Sequence, residues 1–253
     1  MRNDVVVFSG PTLSAAEGRN HLDAIFLPPV GSGDVVRAVA KYAPSAIALI
    51  DGVFGQAPAI RHKEIIWAMS RGVRMYGASS IGALRAAELA PQGMVGHGLI
   101  YRYYRRNPLA DDADVTVPMA PPELGSQALG EALIDIRLTL KSAERNGIIS
   151  EQLRRLLETS ARSIHFRDRS FSKILAAATR KDTKYSKLGS LSTWLRSGVV
   201  KQKKSDAESL LQLISLGTHR SQPEIQSNFQ ITEAFALDMD YYNLFDHILP
   251  CAS

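Results

Sequence analysis

Cysteine is almost absent from this sequence: the 253 residues contain a single one, Cys251. One thiol excludes an internal disulfide framework and any metal cluster built on several cysteines, and it is typical of a reducing compartment. Long apolar runs are also lacking, because no stretch approaches the roughly 18 residues of a membrane span. The run Val5–Phe8 is too short for the core of a signal peptide. We therefore expect a soluble protein of the cytoplasm.

Glycine and proline are too scarce for a disordered chain, at 18 and 12 residues, while 45% of the residues are hydrophobic. This length and composition allow one large hydrophobic core or two modest ones. The formal net charge is +5 at pH 7, and both halves of the chain contribute to it. A positive balance of this size indicates acidic partners, which include both nucleic acid and acidic proteins.

Residues 1–90 alternate short apolar runs, each closed by turn residues, with stretches of helical periodicity. The predicted strands are Val5–Phe8, Ala24–Leu27, Ser45–Ile50 and Val73–Tyr76. The predicted helices are Ser14–Asn20, Asp34–Tyr42, Ala59–Arg71 and Ile81–Leu89. This alternation predicts an α/β fold, a three-layer core with a small, mainly parallel sheet. Such sheets bind ligands at the carboxyl ends of their strands, which here precede Ser9–Pro11, Pro28–Gly33, Asp51–Gly55 and Gly77–Gly82.

The rest of the chain has a different pattern. Residues 91–122 predict an irregular connection, and a helical pattern begins near Glu123. We therefore predict an α/β core over residues 1–122 and a helical region, packed on that core, over residues 123–253.

Two charged clusters are predicted to be exposed segments. Asp111, Asp112 and Asp114 lack the other ligands of a cation-binding loop, which favours a solvated acidic turn. The lysines near residue 200 favour a solvated linker; they are Lys201, Lys203 and Lys204. No metal or cofactor is expected.

The fourth predicted strand enters a helix through the small-residue turn Gly77–Ala83. A strand, a sharp turn bearing serine and then a helix is the arrangement of a nucleophile elbow. Ala78 and Gly82, two positions before and after Ser80, are small enough for this turn. The residues two positions before and after Ser79 fit the turn less well.

Ser80 also stands at the predicted start of a helix. The backbone N–H groups of Ile81 and Gly82, together with the helix dipole, could stabilise an oxyanion there. Serine is equally a preferred N-cap, which is the more common explanation for a serine at this position.

A nucleophilic serine needs a base, and no convincing Ser-His-Asp set is present. Lys63 shares a helix face with Ile66 and Trp67. Apolar neighbours can desolvate a lysine and so make its neutral amine available. The alternative is a surface lysine that extends its ammonium into water.

Three blocks of the sequence strongly resemble the core of TfuA-like proteins. They are Ile50–Gly55, His62–Ile65 and Gly77–Leu89. The resemblance covers roughly residues 5–145 and fades beyond about residue 150. Two departures are small: Ile81 stands where methionine is expected, and Ala113 interrupts an acidic run.

The resemblance implies a partner of YcaO proteins in thioamidation of the backbone of a ribosomally made peptide or a protein. TfuA-like proteins are understood to hydrolyse the C-terminal thiocarboxylate of a ubiquitin-like sulfur-carrier protein with a serine–lysine pair. This implies that Ser80 and Lys63 are catalytic, with the backbone of Ile81 and Gly82 holding the oxyanion. Four further residues are expected to bind substrate or orient the lysine: Ser79, Asp51, Glu64 and Arg85. The resemblance also implies an unusual fold, so the order of the predicted strands in the sheet is left open.

Two other functions compete with this hydrolase. One is a non-catalytic adaptor that recruits YcaO or its peptide and uses Ser80 only as a helix cap. The other is a nucleotide- or nucleic-acid-binding module, suggested by the glycines and the positive charge. We expect neither nucleic acid nor a membrane as a partner. The sequence leaves the oligomeric state open.

Overall fold

A computed structural model describes residues 4–55, 57–181, 188–217 and 229–249. The chain divides into two compact units. Unit 1 comprises residues 1–108 and 206–253, and unit 2 comprises residues 109–205. The domain boundary predicted at residue 122 falls inside unit 2.

Unit 1 is built around a five-stranded sheet in which every pairing is parallel. The strands are β1 (Val5–Phe8), β2 (Ile25–Leu27), β3 (Ala46–Leu49), β4 (Arg74–Gly77) and β5 (Val95–Gly96). The predicted α/β fold with a mainly parallel sheet is confirmed. The strand order is β2-β1-β3-β4-β5. The chain places β2 on one side of β1 and then β3 on the other side, so the topological switch point lies between β1 and β3. Ligands of open parallel sheets bind at the carboxyl ends beside such a switch point.

Five helices follow these strands. They are α1 (Ala15–Arg19), α2 (Asp34–Tyr42), α3 (His62–Ser70), α4 (Ile81–Glu88) and α5 (Gly98–Arg106). The prediction of an irregular connection over residues 91–122 is wrong for β5 and α5. β5 has only two residues, which is too few for periodicity to reveal, and α5 buries just Ile100 and Tyr104 within an arginine-rich run.

Apolar side chains cover both faces of the sheet. Successive strand residues point to opposite faces, so Ile47 and Leu49 pack into one core while Ala48 packs into the other. The helices that cover these faces include three from the C-terminal part of the chain: α10 (Gln202–Ser215), α11 (Glu233–Tyr241) and α12 (Phe245–Ile248). The predicted three layers are therefore present, and C-terminal helices belong to the outer layers.

In the residues of unit 2 that the structure describes, four further α-helices surround an apolar core of their own. They are α6 (Leu133–Arg145), α7 (Glu151–Ser163), α8 (Phe171–Lys181) and α9 (Gly189–Gly198). In the part of the chain that the structure describes, every helix falls short of the length or apolarity that a bilayer crossing requires.

Two predictions of solvated charge are wrong in unit 2. Lys203 is 5% exposed, because its ammonium donates a 2.8 Å hydrogen bond to the carbonyl oxygen of Val115 and the Asp135 carboxylate lies beside it. Asp114 is also buried, near the buried guanidinium of Arg169.

Candidate functional site

The turn between β4 and α4 is tightly folded against neighbouring backbone. A Cβ atom at Gly82 would lie 1.7 Å from the carbonyl oxygen of Leu49, and one at Gly77 would lie 2.0 Å from the carbonyl oxygen of Gly82. Within the turn, Ser79 has a φ of 71° and Ser80 has φ and ψ of −110° and −125°. The small residues are therefore needed because the first turn of α4 rests directly on the strand ends.

Ser80 occupies the N-cap position of α4, but its side chain makes no capping hydrogen bond. The residue is 3% exposed, and its hydroxyl has no hydrogen-bond partner among the described residues. Capping, the common alternative explanation for this serine, is therefore not what the structure shows.

The two predicted oxyanion donors differ. The N–H of Gly82 points to the carbonyl oxygen of Ile50 at a long 3.5 Å. The N–H of Ile81 has no partner within the described parts of the chain. The positive end of the α4 dipole and the N–H of Ile81 therefore lie next to Ser80 in the turn.

The other four helices that follow the strands have carboxylates of the chain itself at their N-termini. The hydrogen bonds run from Ser14 N to Glu17, from Gly33 N and Arg61 N to Glu64, and from Ile100 N to Asp206. Helix α4 has no acidic residue in its first turn and no side-chain cap. Among the described helices at this edge of the sheet, α4 alone has an N-terminus that lacks such a carboxylate.

Asp51 lies two residues after the end of β3, is only 1% exposed and binds the loop after β1. Its Oδ2 accepts hydrogen bonds from the backbone N–H of Gly10 at 3.0 Å and of Thr12 at 2.9 Å. Its Oδ1 accepts from Thr12 Oγ1 at 2.6 Å, and Ser79 Oγ donates to Thr12 Oγ1 at 3.4 Å. The structure therefore joins two predicted site residues, Asp51 and Ser79, through a residue that the sequence analysis missed. The only signal for Thr12 was its place one residue beyond Ser9–Pro11, at a strand end.

Lys63 is the second residue of α3 and is half-buried. Its Nζ lies 5.4 Å from the centroid of the Phe229 ring. Phe229 and Trp67 line a groove of about 610 Å³. No hydrogen bond joins Lys63 to Ser80 in the described residues, so their pairing stays a prediction.

Arg85 connects α4 to the segment that leads into α3. Its Nε donates to the carbonyl oxygen of Ile60 at 3.2 Å, and its Nη1 donates to Glu88 at 2.6 Å. The same Glu88 oxygen lies 2.8 Å from Nε2 of His62. Burial acts to raise the pKa of Glu88, but the hydrogen bonds from His62 and Arg85 hold it below its ordinary value. These contacts set the helix that begins beside Ser80 relative to the start of the helix that carries Lys63.

Glu64 is a fully buried carboxyl group that binds the loop before α2. It accepts hydrogen bonds from the backbone N–H of Gly33 at 2.8 Å and from Ser32 Oγ at 3.3 Å. Burial raises its pKa from 4.5 to about 7, because desolvation of the charged form outweighs the hydrogen bonds that favour it.

This raised pKa predicts a loss of stability as the pH increases. The folded chain keeps the Glu64 proton up to about pH 7, whereas the unfolded chain loses it near pH 4.5. The stabilisation is therefore complete below pH 4.5 and is lost as the pH rises through 7. We expect urea denaturation to show a fall of roughly 2–3 kcal/mol in this contribution across the window. Glu64→Gln should lack it, and equal pH dependence of the two proteins would contradict the assignment.

The sequence was also compared with known proteins. The family model described as TfuA-like protein matches residues 51–170. No curated protein matches the chain. The matched segment includes Lys63 and the whole turn from Gly77 to Gly82, and it begins at Asp51. It extends further into the helical part of the chain than the sequence analysis predicted, and it leaves Thr12 outside.

Proposed function

Because the chain belongs to the TfuA-like family, which is associated with YcaO proteins and peptide thioamidation, we propose that it is a sulfide-releasing hydrolase. Its substrate in this proposal is the C-terminal thiocarboxylate of a ubiquitin-like sulfur-carrier protein. YcaO then uses the released sulfide to convert a backbone amide to a thioamide.

The observation that carries this proposal is the state of Ser80. The residue is 3% exposed, and its hydroxyl makes no hydrogen bond with the described residues, although it stands at a helix N-terminus. Since this hydroxyl neither caps the helix nor pairs with another described group, a role in chemistry accounts for the serine better than a role in folding. The N–H of Ile81 lies in the same turn and supports an oxyanion site.

The reaction divides into two acyl transfers. Ser80 Oγ attacks the carbonyl carbon of the thiocarboxylate while the neutral amine of Lys63 accepts the hydroxyl proton. The N–H of Ile81 stabilises the oxyanion, which collapses as Lys63 passes its proton to the departing sulfur; hydrosulfide leaves and an ester with Ser80 remains. Water then attacks the ester and gives a proton to the neutral Lys63, which passes that proton to Ser80 Oγ as the ester bond breaks. The carrier leaves as a carboxylic acid, which ionises to the carboxylate by losing its proton to water.

Lys63 must reach Ser80 for this chemistry, either directly at about 2.6–3.2 Å or through one water. In the structure its Nζ instead lies over the Phe229 ring, 5.4 Å from the ring centroid, in a cation–π contact. The proposal therefore requires that Lys63 give up this contact when substrate occupies the turn.

The test uses the purified full-length chain and a thiocarboxylated carrier protein. We expect release of one hydrosulfide per carrier, with the carboxylate form of the carrier as the control. Acid quenching early in the reaction should trap the carrier as an ester on the peptide that contains Ser80, detectable by mass spectrometry. If no sulfide is released, with or without YcaO, the hydrolase proposal fails and the adaptor function replaces it.

A further inference from the structure

We infer that Thr12 is a positioning residue for Ser80. Thr12 lies in the loop after β1, Asp51 follows β3 and Ser79 follows β4, and hydrogen bonds join their side chains in that order across the switch point of the sheet. This chain of three residues, hereafter the Asp51–Thr12–Ser79 clamp, holds the backbone from which Ser80 projects. The inference rests on the proposed function.

The direction of the hydrogen bonds in the clamp follows from the donors available. Carboxylate oxygens accept hydrogen bonds, so Thr12 must donate its hydroxyl proton to Asp51 Oδ1 across their 2.6 Å separation. The Thr12 oxygen then accepts from Ser79. Asp51 also accepts from the backbone of Gly10 and Thr12, which fixes the loop that carries the threonine. The Thr12 hydroxyl is therefore held in one orientation.

The strained member of the clamp is Ser79. Its φ of 71° lies in the left-handed region, which is uncommon for residues with a side chain and is maintained only where surrounding contacts impose it. Ser79 is completely buried and so cannot touch substrate itself. Its peptide bond leads directly into Ser80, whose backbone in turn directs the N–H of Ile81. Relaxation at Ser79 would therefore turn both the nucleophile and the oxyanion donor.

Two substitutions of Thr12 separate the contribution of its hydroxyl from that of its side-chain shape. Thr12→Val keeps the shape of the side chain but removes the hydroxyl, whereas Thr12→Ser keeps the hydroxyl. With the thiocarboxylated carrier as substrate, we expect Thr12→Val to lower kcat about 10- to 100-fold, since a small misplacement of reacting groups costs up to about 100-fold. KM should change little, because the inferred role of Thr12 is exerted through Ser79 and not on the substrate. Thr12→Ser should recover most of kcat.

A second variant keeps the test independent of the folding of Thr12→Val. Ser79→Ala removes the donor at the other end and leaves the bond between Thr12 and Asp51 intact. We expect a similar loss of kcat, and no additional loss in the double variant, because both changes break the same clamp. The rate at which a fluorophosphonate labels Ser80 should fall in parallel with kcat.

Ser80→Ala in the same assay separates the possible failures. If Ser80→Ala releases sulfide at the full rate, the proposed function fails and the inference fails with it. If Ser80→Ala is inactive while folded Thr12→Val and Ser79→Ala keep the kcat and labelling rate of the natural chain, the inference alone is overturned. A loss of melting temperature without a change in kcat also overturns it, since that is the result of a purely structural role.

Discussion

Ser80→Ala should reduce sulfide release by more than about 1,000-fold and leave the melting temperature nearly unchanged. The loss is large because the variant has no nucleophile and the covalent route through an ester disappears. The stability is preserved because the Ser80 side chain makes no capping hydrogen bond with α4. Initial rates of sulfide release and thermal unfolding monitored by circular dichroism measure the two quantities.

Ser14→Ala is the matched control for this substitution. Ser14 is an N-cap that does cap: its Oγ accepts from the backbone N–H of Glu17 at 3.3 Å, and Glu17 reciprocates. The same serine-to-alanine change should there cost about 1 kcal/mol of stability and leave sulfide release intact. If Ser80→Ala behaved like Ser14→Ala, Ser80 would be a structural residue.

Lys63 variants separate the base from the packing of its side chain. Lys63→Arg keeps a cation that can stack on Phe229, but a guanidinium stays protonated and cannot accept the serine proton. We expect Lys63→Arg and Lys63→Ala to be as inactive as Ser80→Ala. The variant that combines Ser80→Ala with Lys63→Ala should be no worse, because the two groups act as one unit. Substantial activity in Lys63→Arg would exclude Lys63 as the base.

Gly82→Ala should be among the most destabilising single-methyl changes in the chain. The new Cβ would lie 1.7 Å from the carbonyl oxygen of Leu49 and 2.5 Å from its carbonyl carbon. These atoms belong to the backbone of β3 in the centre of the sheet, so they cannot move aside as the end of a side chain could. We expect a loss of roughly 3–5 kcal/mol in urea denaturation, or failure to fold.

Gly189→Ala is the control for the same chemical change. Gly189 is the first residue of α9, and a Cβ there would meet no atom within 4 Å. Alanine in a helix is favoured over glycine by up to about 1 kcal/mol, so this variant should be neutral or slightly more stable. Equal stability of Gly82→Ala and Gly189→Ala would show that α4 does not rest on β3 as described.

The sheet was accessible from the sequence because its strands carry a local signal. β1 and β3 are short apolar runs closed by turn residues, and the four predicted strands agree with β1 to β4 within one residue at each end. Helix α5 was missed because its burial depends on only Ile100 and Tyr104, set between exposed arginines. Lys203 was assigned to solvent because its partners, Val115 and Asp135, are far away in the sequence.

In the candidate site, too, some features depend on residues that are adjacent in the sequence and others on residues that are far apart. The turn around Ser80 was recognisable because its small residues are consecutive and serve one local geometry. Thr12 could not be assigned, because its role depends on a hydrogen bond that spans 39 residues to Asp51 and another that spans 67 residues to Ser79. Glu64 was expected near the lysine, but its bonds to Ser32 and Gly33 follow from the way the loops meet.

The carboxylates at the carboxyl edge of the sheet influence which kind of negatively charged group can bind there. Asp51 and Glu64 take up the backbone N–H groups that a phosphate would use in other parallel sheets, and Asp206 takes up those of α5. A phosphate group would therefore meet backbone positions that are already filled. The N–H of Ile81 is left to bind the negative charge that develops on a carbonyl oxygen during attack by the serine. In the proposed reaction, this hydrogen bond therefore stabilises the transition state more than it stabilises the bound substrate.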